Sequence, residues 1–359
     1  MKVLARYISG IFLKNFLLAI AALTLLFFFQ AVMGQLFNDS YPTEQVLIYN
    51  ALNLAQYTVQ MTPPAVLLAT VISLSTLSRS NELVACYSIG VGLRQVMTIV
   101  LSIVFMISCL MLVMEDRVLP PFFRKQTTYF WREMKKRPDF YLDLKQDKIW
   151  YRSKNLIYNL RSFDVKSNTI HGMAVYVFDE QFQMVEVIEA KQALFGAKGW
   201  TLKDGTVTVF SPPDDFPMTS SFETKDLAIG ETPKDFREIE KEVNGLRLKE
   251  LSRYIKRVKE TGMETRSFLV QLHSKISLSF IPLVMCVLAI PFSTRSRREE
   301  GLGRDLGLCI LITFFYWIFY STSLSLGTKG SIPPIFAAWL PSLVFAGIAG
   351  ALLYFKWKK

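Results

Sequence analysis

The sequence LSTLSRSNELVACYSIGVGLR, Leu74–Arg94, divides one long apolar region, about residues 59–113, into two parts. Arg79, Asn81 and Glu82 lie together in the break, and a charged side chain is costly at the centre of a bilayer. The apolar residues beside the break recur at spacings that a helix would place on one side: Leu74, Leu77, Leu83 and Val84. We therefore expect two membrane-spanning helices joined by a short amphipathic helix, about residues 78–90, at one membrane face. The same pattern also fits a surface connector that binds no partner.

The composition of the whole chain indicates a membrane protein, because 51% of its 359 residues are hydrophobic. Six apolar runs are long enough to cross the hydrocarbon core as helices: about 11–36, 59–77, 93–114, 267–293, 306–326 and 332–355. A polar block separates the third run from the fourth. The chain is therefore predicted to have three spans and the connecting helix in residues 1–116, a water-facing domain in 117–265, and three spans in 266–359.

The distribution of basic residues predicts the orientation of these spans. Lys2, Arg6 and Lys14 precede or open the first span, so both termini are expected in the cytoplasm, as is the connector at 78–92. The loop 294–305, which carries Arg295, Arg297, Arg298 and Arg304, falls on the same side. Residues 116–265 carry 26 basic and 23 acidic side chains, so most of the net charge of +11 belongs to the membrane segments and their flanks. The basic balance is thus explained by topology, and nucleic acid is not an expected partner.

The polar block contains short β-rich runs separated by turn signals and has no helical pattern between them, which predicts an antiparallel sandwich, a jelly roll or an open barrel. Valines alternate along three of these runs, and each pair should face one side of its sheet. They are Val175, Val177, Val185, Val187, Val207 and Val209. Such a face could form a closed core or line an open groove that holds lipid.

Signals for catalysis and for metal binding are missing from the sequence. None of the four cysteines falls in 116–265, so a disulfide framework is not expected there. The two histidines, His171 and His273, have no ligand-forming neighbours at a suitable spacing, and we predict no metal site. Phosphate-loop and hydrolase motifs are also missing. If the protein drives work, the energy should come from another subunit at the cytoplasmic face.

Polar and aromatic residues within the spans are candidates for a lipid path through the membrane. They are Gln30 and Gln35 toward the outer end of span one, Lys275 in span four, and Phe315 and Phe319 in span five. Contact of the aromatics with bulk lipid, and extension of the lysine to headgroups, are the simpler interpretations.

Several of these segments together resemble one known family. Arg79-Ser-Asn-Glu82-Leu followed by Gly90 is similar to the R-x-x-E-L…G motif between spans two and three of the LptF/LptG permeases. The segments His273-Ser-Lys275-Ile, Ala289-Ile-Pro291-Phe292 and Trp339-Leu-Pro341 also resemble this family, and Tyr254-Ile-x-x-Val-Lys-x-x-Gly262 is closer to the LptG half. The resemblance covers essentially the whole chain.

The resemblance implies a six-span α-helical membrane protein with an inserted all-β periplasmic domain of jelly-roll type, in the bacterial inner membrane. It implies a permease subunit of an ABC-type exporter that extracts lipopolysaccharide and passes it to a periplasmic β-jellyroll bridge. Expected partners are a second LptF-like or LptG-like subunit, two LptB-like ATPases, and LptC-like and LptA-like proteins. The chain would bind no cofactor and have no enzymatic activity, because the ATPase partner would use the ATP.

In this arrangement the connecting helix is a coupling helix that fits a groove of the ATPase. The resemblance assigns this contact to Arg79, Asn81, Glu82, Leu83, Tyr87 and Gly90. The other function that the sequence allows is a membrane-anchored structural or binding protein whose β-domain recognises an envelope partner.

Overall fold

The computed structural model describes residues 2–38, 41–136, 149–153, 155–164, 168–179, 181, 183–196, 199–210, 216–227, 229, 245–260, 264–293 and 302–357. The predicted loop residues Arg295, Arg297 and Arg298 lie outside this set. The chain divides into two compact units, one formed by residues 1–122 and 266–359 and the other by residues 123–265.

The first unit is helical. Its elements are α1 (Lys2–Asn38), α2 (Thr43–Leu52), α3 (Leu54–Arg79), α4 (Glu82–Ser88), α5 (Leu93–Val113), α8 (Arg266–Ser293), α9 (Leu302–Lys329) and α10 (Pro334–Trp357). Among the described residues, six helices are long and apolar enough to cross a membrane, and their positions confirm the six predicted spans. The helix of α5 continues through a π-helical turn, Met114–Val118, into α6 (Leu119–Tyr129) and a second π-helical turn, Phe130–Met134.

α3 and α8 form the centre of the helical unit, since they are its most buried spans, whereas α1 and α9 are the least buried. One apolar cluster joins α1, α3 and α5 and includes Phe12, Leu74 and Val100. A second cluster joins α3, α8 and α9 around Met285 and Tyr316. Ridges of one helix fill the grooves of the next in such contacts, so α3 and α8 fix the positions of the outer spans.

The second unit contains a six-stranded antiparallel sheet in which neighbours in sequence are neighbours in space. Its strands are β1 (Ile149–Ser153), β2 (Leu156–Asp164), β3 (Thr169–Phe178), β4 (Met184–Gly196), β5 (Gly199–Val209) and β6 (Met218–Leu227). The inserted all-β domain predicted from the sequence is thus confirmed. A buried cluster that includes Tyr158, Leu202, Trp200 and Trp131 holds this unit together.

A line of unpaired positions crosses the sheet. The register omits one residue in each of β2 to β6, namely Arg161, Gly172, Lys191, Asp204 and Glu223. Gly172 and Asp204 have φ values of 65° and 51°, which interrupt the pleat as a bulge does. Residues of the apolar core are two apart within each half of the sheet, as in Tyr158 and Leu160, but three apart across this line, as in Ile170 and Met173. The apolar alternation therefore shifts by one residue there.

The amphipathic helix α7 (Leu248–Glu260) completes the second unit. Leu251, Ile255 and Val258 are buried at helical spacing, and the charged residues occupy the other positions. The beginning of α7 lies beside α6, where the Arg124 guanidinium is 3.4 Å from the Glu250 carboxylate.

Candidate functional site: the connector between spans two and three

The connector begins where α3 ends at Arg79 and the backbone reverses through Asn81. Asn81 has a φ of 59°, a left-handed conformation that asparagine tolerates better than most residues. Its carbonyl then accepts the first hydrogen bond of α4, from the amide of Ala85 at 3.0 Å. The connecting helix is therefore Glu82–Ser88, shorter than the predicted range of 78–90, because Ser78 and Arg79 continue α3.

Gly90 ends the connecting helix. Its amide donates to the Tyr87 carbonyl at 3.1 Å, and the Val91 amide donates to the Cys86 carbonyl at 2.9 Å. This pair of bonds is a Schellman motif, which requires a left-handed residue at the position of Gly90. Gly90 has a φ of 82°, so the sequence S-I-G-V encodes the stop. The motif fixes the direction in which the chain enters α5.

The inner face of α4 anchors it to the membrane helices. Leu83 and Cys86 are buried in the same cluster as Ile8 and Phe12 of α1 and Leu77 of α3. Burying a leucine side chain stabilises such a contact by about 1.5–3 kcal/mol. A movement of α4 is therefore coupled by packing to α1 and α3.

The outer face of α4 carries both apolar groups and one acid. Val84, Tyr87 and Ile89 are 60%, 45% and 72% exposed, and Glu82 is half-buried at the start of the helix. Partial burial raises the pKa of the Tyr87 phenol, which stays protonated at neutral pH. The prediction that Val84 shares a face with Leu74, Leu77 and Leu83 is wrong, because those three leucines are buried and Val84 is not.

The structure places five of the six predicted coupling residues in the connector, from Asn81 to Gly90. The sixth, Arg79, is the exposed last residue of α3, and its side chain interacts with a neighbouring group. Leu83 differs from the others because its side chain is 5% exposed and faces the membrane helices. Leu83 therefore anchors the connector to the membrane helices and does not belong to its outer surface.

The six valines of the β-domain do not share one face. Val175 pairs with Ile188, and Ile188 pairs with Val207, so these side chains point to the same side of the sheet. Val177 and Val209 follow two residues later in their strands and lie on that side as well. Val185 and Val187 point to the opposite side, because Val187 pairs with Tyr176 and Thr208. Val175 and Val207 are buried, and Val209 is 46% exposed.

The five candidates within the spans are spread over three helices. Gln30 is exposed on α1, and the Gln35 amide oxygen accepts a hydrogen bond of 2.8 Å from the Asn50 side chain. Phe315 is 60% exposed on α9, and Phe319 lies 6.5 Å from the Phe345 ring of α10. α1 packs mainly on α3 and α5, whereas α9 packs mainly on α8 and α10, so the candidates do not form one site.

Two polar groups in the helical unit have roles that the sequence pattern did not reveal. Lys275 interacts electrostatically with the Glu115 carboxylate, which is only 8% exposed at the end of α5. The fully buried Asn50 donates to Gln35 and accepts a 2.7 Å hydrogen bond from the Tyr57 hydroxyl. A buried polar group needs such partners. The available signals were an acidic residue at the end of an apolar run and an asparagine within an apolar helix.

The fold and this site together define a class of protein: a polytopic membrane protein with an inserted all-β domain and a short, partly exposed helix between its second and third spans. Within the described residues, no three His, Cys, Asp or Glu side chains group as a metal site would require. The connector surface presents exposed apolar groups around one carboxylate.

The chain belongs to the LptF/LptG family, described as "Lipopolysaccharide export system permease LptF/LptG", whose profile matches residues 6–354. Two similar relatives are lipopolysaccharide export system permease proteins named LptG. The one from Haemophilus influenzae is 24% identical over 314 residues, which cover 85% of this chain and 84% of the relative. The one from Escherichia coli K12 is 24% identical over 320 residues, which cover 86% of this chain and 87% of the relative. The predicted family membership is thus confirmed.

Proposed function

We propose that this chain is a non-catalytic permease subunit of a lipopolysaccharide exporter and that its connector transmits work from a separate, LptB-like ATPase. The observation that carries the proposal is the family match over residues 6–354, which spans both units and includes the connector. The exposed Val84, Tyr87 and Ile89 around Glu82 support a partner at this surface. ATP would be bound and hydrolysed by the partner, and this chain would bind no cofactor.

A second permease subunit, LptF-like or LptG-like, would complete the membrane unit. α1 and α9 are the spans with the smallest buried share, and they expose large apolar side chains such as Leu18, Phe29, Ile310 and Phe314. A heterodimer would cover part of these surfaces and leave a space between the subunits for lipopolysaccharide. Two ATPase copies would then serve the two connectors.

The β-domain would receive lipid on the periplasmic side and pass it to LptC-like and LptA-like proteins. One end of the sheet supports such a contact, since the register partners Val209 and Met218 are 46% and 80% exposed and Phe216 is 91% exposed. An exposed edge strand with apolar neighbours can pair with a strand of another protein. Both termini and the connector would lie in the cytoplasm, as the basic residues predict.

Co-purification tests the proposal directly. The tagged chain, co-expressed with the LptB-like ATPase and a second permease subunit, should retain the ATPase in detergent, and lipopolysaccharide should stimulate ATP hydrolysis in proteoliposomes. The matched comparison is the same chain with Glu82→Ala and, separately, with the exposed Ser88→Ala. A chain that binds an envelope protein through its β-domain but never retains an ATPase would instead be a membrane-anchored binding protein.

A further inference from the structure

A cleft of about 690 Å³ lies over the unpaired line of the sheet, within the β-domain. Its volume falls in the range of small-molecule sites. The cleft is lined by residues of β2 to β6, among them Asn159, Glu189, Asp204 and Phe222. It is separate from the connector.

Bent backbone and small residues leave room for the cleft, and the Phe222 ring packs against Gly205. Gly172 and Asp204 adopt left-handed conformations that bend β3 and β5 at this line. A Cβ atom on Gly205 would collide with the carbonyl oxygen of Glu189 and the ring of Phe222. Ala174 and Ala190 add only methyl groups. The bend and the small residues together open the space.

One buried polar group at the cleft lacks a partner. The Asn159 side chain is 2% exposed, and within the described residues its Nδ2 atom has no hydrogen-bond acceptor. A buried amide nitrogen without an acceptor is destabilising, and nearly all such groups in proteins are paired. Asn159 lines the cleft, so a small rotation of its side chain would bring Nδ2 within reach of an acceptor on a bound molecule.

The other polar groups define the kind of molecule that fits. Glu189 and Asp204 offer carboxylate oxygens, Lys191 offers an ammonium donor, and Thr206 and Ser221 offer hydroxyl groups. Two acids beside one lysine give no excess of positive charge, so the cleft is unsuited to a phosphate or another strong anion. Phe222 supplies an apolar surface in the same place. Several hydroxyl groups on a compact ring match this mixture of acceptors, donors and one aromatic face.

We propose that this cleft binds an uncharged saccharide of one or a few units, with Asn159 donating to a hydroxyl or ring oxygen and Glu189 and Asp204 accepting from hydroxyl groups. The saccharide could be free or could be the sugar portion of a glycolipid, since both present the same chemistry. The proposal rests on the geometry of the cleft and does not depend on the transport function.

Measurements of direct binding test whether the cleft binds a neutral saccharide. The full-length chain in detergent would be titrated with di- to tetrasaccharides of glucose, galactose, mannose and N-acetylglucosamine, and followed by saturation-transfer NMR and calorimetry. At least one neutral saccharide should bind, with inorganic phosphate as the negative control. Lipid-free saccharide released from lipopolysaccharide and intact lipopolysaccharide form the second arm. Competition by the released saccharide means that the cleft recognises sugar alone, and binding of the intact glycolipid only means that it recognises sugar on a lipid.

The Asn159→Leu variant separates a binding residue from a structural one. Leucine has a similar volume and removes the unpaired amide, so the variant should melt at the same temperature as the parent chain or higher, and its saccharide affinity should fall at least tenfold. The exposed Glu189→Gln and Ser221→Ala changes should each weaken binding without lowering the melting temperature. A lower melting temperature for Asn159→Leu with unchanged affinity, or no saccharide binding by the parent chain, would overturn the proposal. Transport assays of the same variants measure the exporter function separately. Failure of the saccharide proposal can therefore be distinguished from failure of the exporter proposal.

Discussion

The Tyr7 hydroxyl of α1 lies close enough to the Glu82 carboxylate at the start of α4 to interact with it. Just below it, Ile8 and Phe12 pack in one cluster with Leu83 and Cys86. The first span and the connector are therefore joined by a polar contact at the surface and an apolar contact beneath it. A partner that binds Glu82 must compete with Tyr7 or bind the carboxylate at its remaining lone pairs.

Glu82→Ala should weaken the association with the ATPase. A charge-assisted hydrogen bond contributes about 1.5–3 kcal/mol, which corresponds to roughly 10- to 150-fold in affinity. Tyr7→Phe removes only the internal competitor, so we expect it to leave the affinity unchanged or to raise it. Ser88→Ala is the control, because the Ser88 hydroxyl bonds the Ala85 carbonyl of its own helix. Affinity would be measured by calorimetry with the purified ATPase. Equal affinities for all three variants would show that Glu82 is not part of the interface.

Gly90→Ala should loosen the connector for a purely conformational reason. No atom lies within 4 Å of a Cβ built on Gly90, but its φ of 82° is a conformation that costs alanine about 1–2 kcal/mol. Gly92 offers a matched comparison, since it also has open space around it but a φ of −74°, so Gly92→Ala should cost less than about 1 kcal/mol. Hydrogen exchange of the Tyr87–Val91 amides should rise in the first variant only. Similar exchange in both variants would show that the Schellman motif does not hold the connector.

The sidedness of the two units can be tested with cysteines in a background where the four native cysteines are replaced by alanine. Ser80→Cys, in the exposed turn before α4, should be protected from an impermeant thiol reagent in spheroplasts. Ser220→Cys, exposed on β6, should react. Disruption of the membrane should expose both and provides the control. Labelling of Ser80→Cys in intact spheroplasts would reverse the proposed orientation.

The sequence predicted the parts of the fold that depend on long apolar runs and on simple alternation. The six spans are such features, and Leu74, Leu77 and Leu83 indicated the packed side of the connector. The start of span two was less predictable, since the apolar run begins at about residue 59 whereas α3 begins at Leu54 and includes Pro63 and Pro64. Both prolines are buried inside the helix, where tertiary packing offsets the lost hydrogen bonds.

The β-domain shows why local patterns could not complete the prediction. β6, Met218–Leu227, is mostly polar and lacks the β-rich pattern used to predict the sheet, because an edge strand needs few apolar residues when it has one neighbour. The faces of the valines depend on register, which is a property of two strands. Val187 alternates as regularly as Val175, yet its partner is Tyr176 and it points away from Val175. Likewise, the interaction of Lys275 could not be predicted locally, because its partner Glu115 is distant in the sequence.

Arginine substitutions distinguish a closed core from a lipid path along the Val175 side of the sheet. Val175 is fully buried between its register partners Tyr158 and Ile188, so Val175→Arg should place an unpaired charge in the core and unfold the domain. Val209 lies on the same side but is 46% exposed beside Met218, so Val209→Arg should leave the domain folded. Val187→Arg, on the opposite side, is the matched control. Folding would be measured by thermal melting and by resistance to protease.

Transport by the same variants then decides where lipid passes. If lipid moves along the exposed end of the Val175 side, Val209→Arg should block delivery of lipopolysaccharide to an LptA-like acceptor although the protein is folded, and Val187→Arg should not. A photocrosslinker at Val209 should capture lipid only when ATP is supplied to the full complex, and one at Thr208, which pairs with Val187 on the opposite side, should capture much less. Capture that is equal at the two positions, or that occurs without ATP, would indicate passive contact with the membrane. A folded and active Val175→Arg variant would show that this part of the sheet is an open groove, since only a solvated or lipid-headgroup environment could accept the charge.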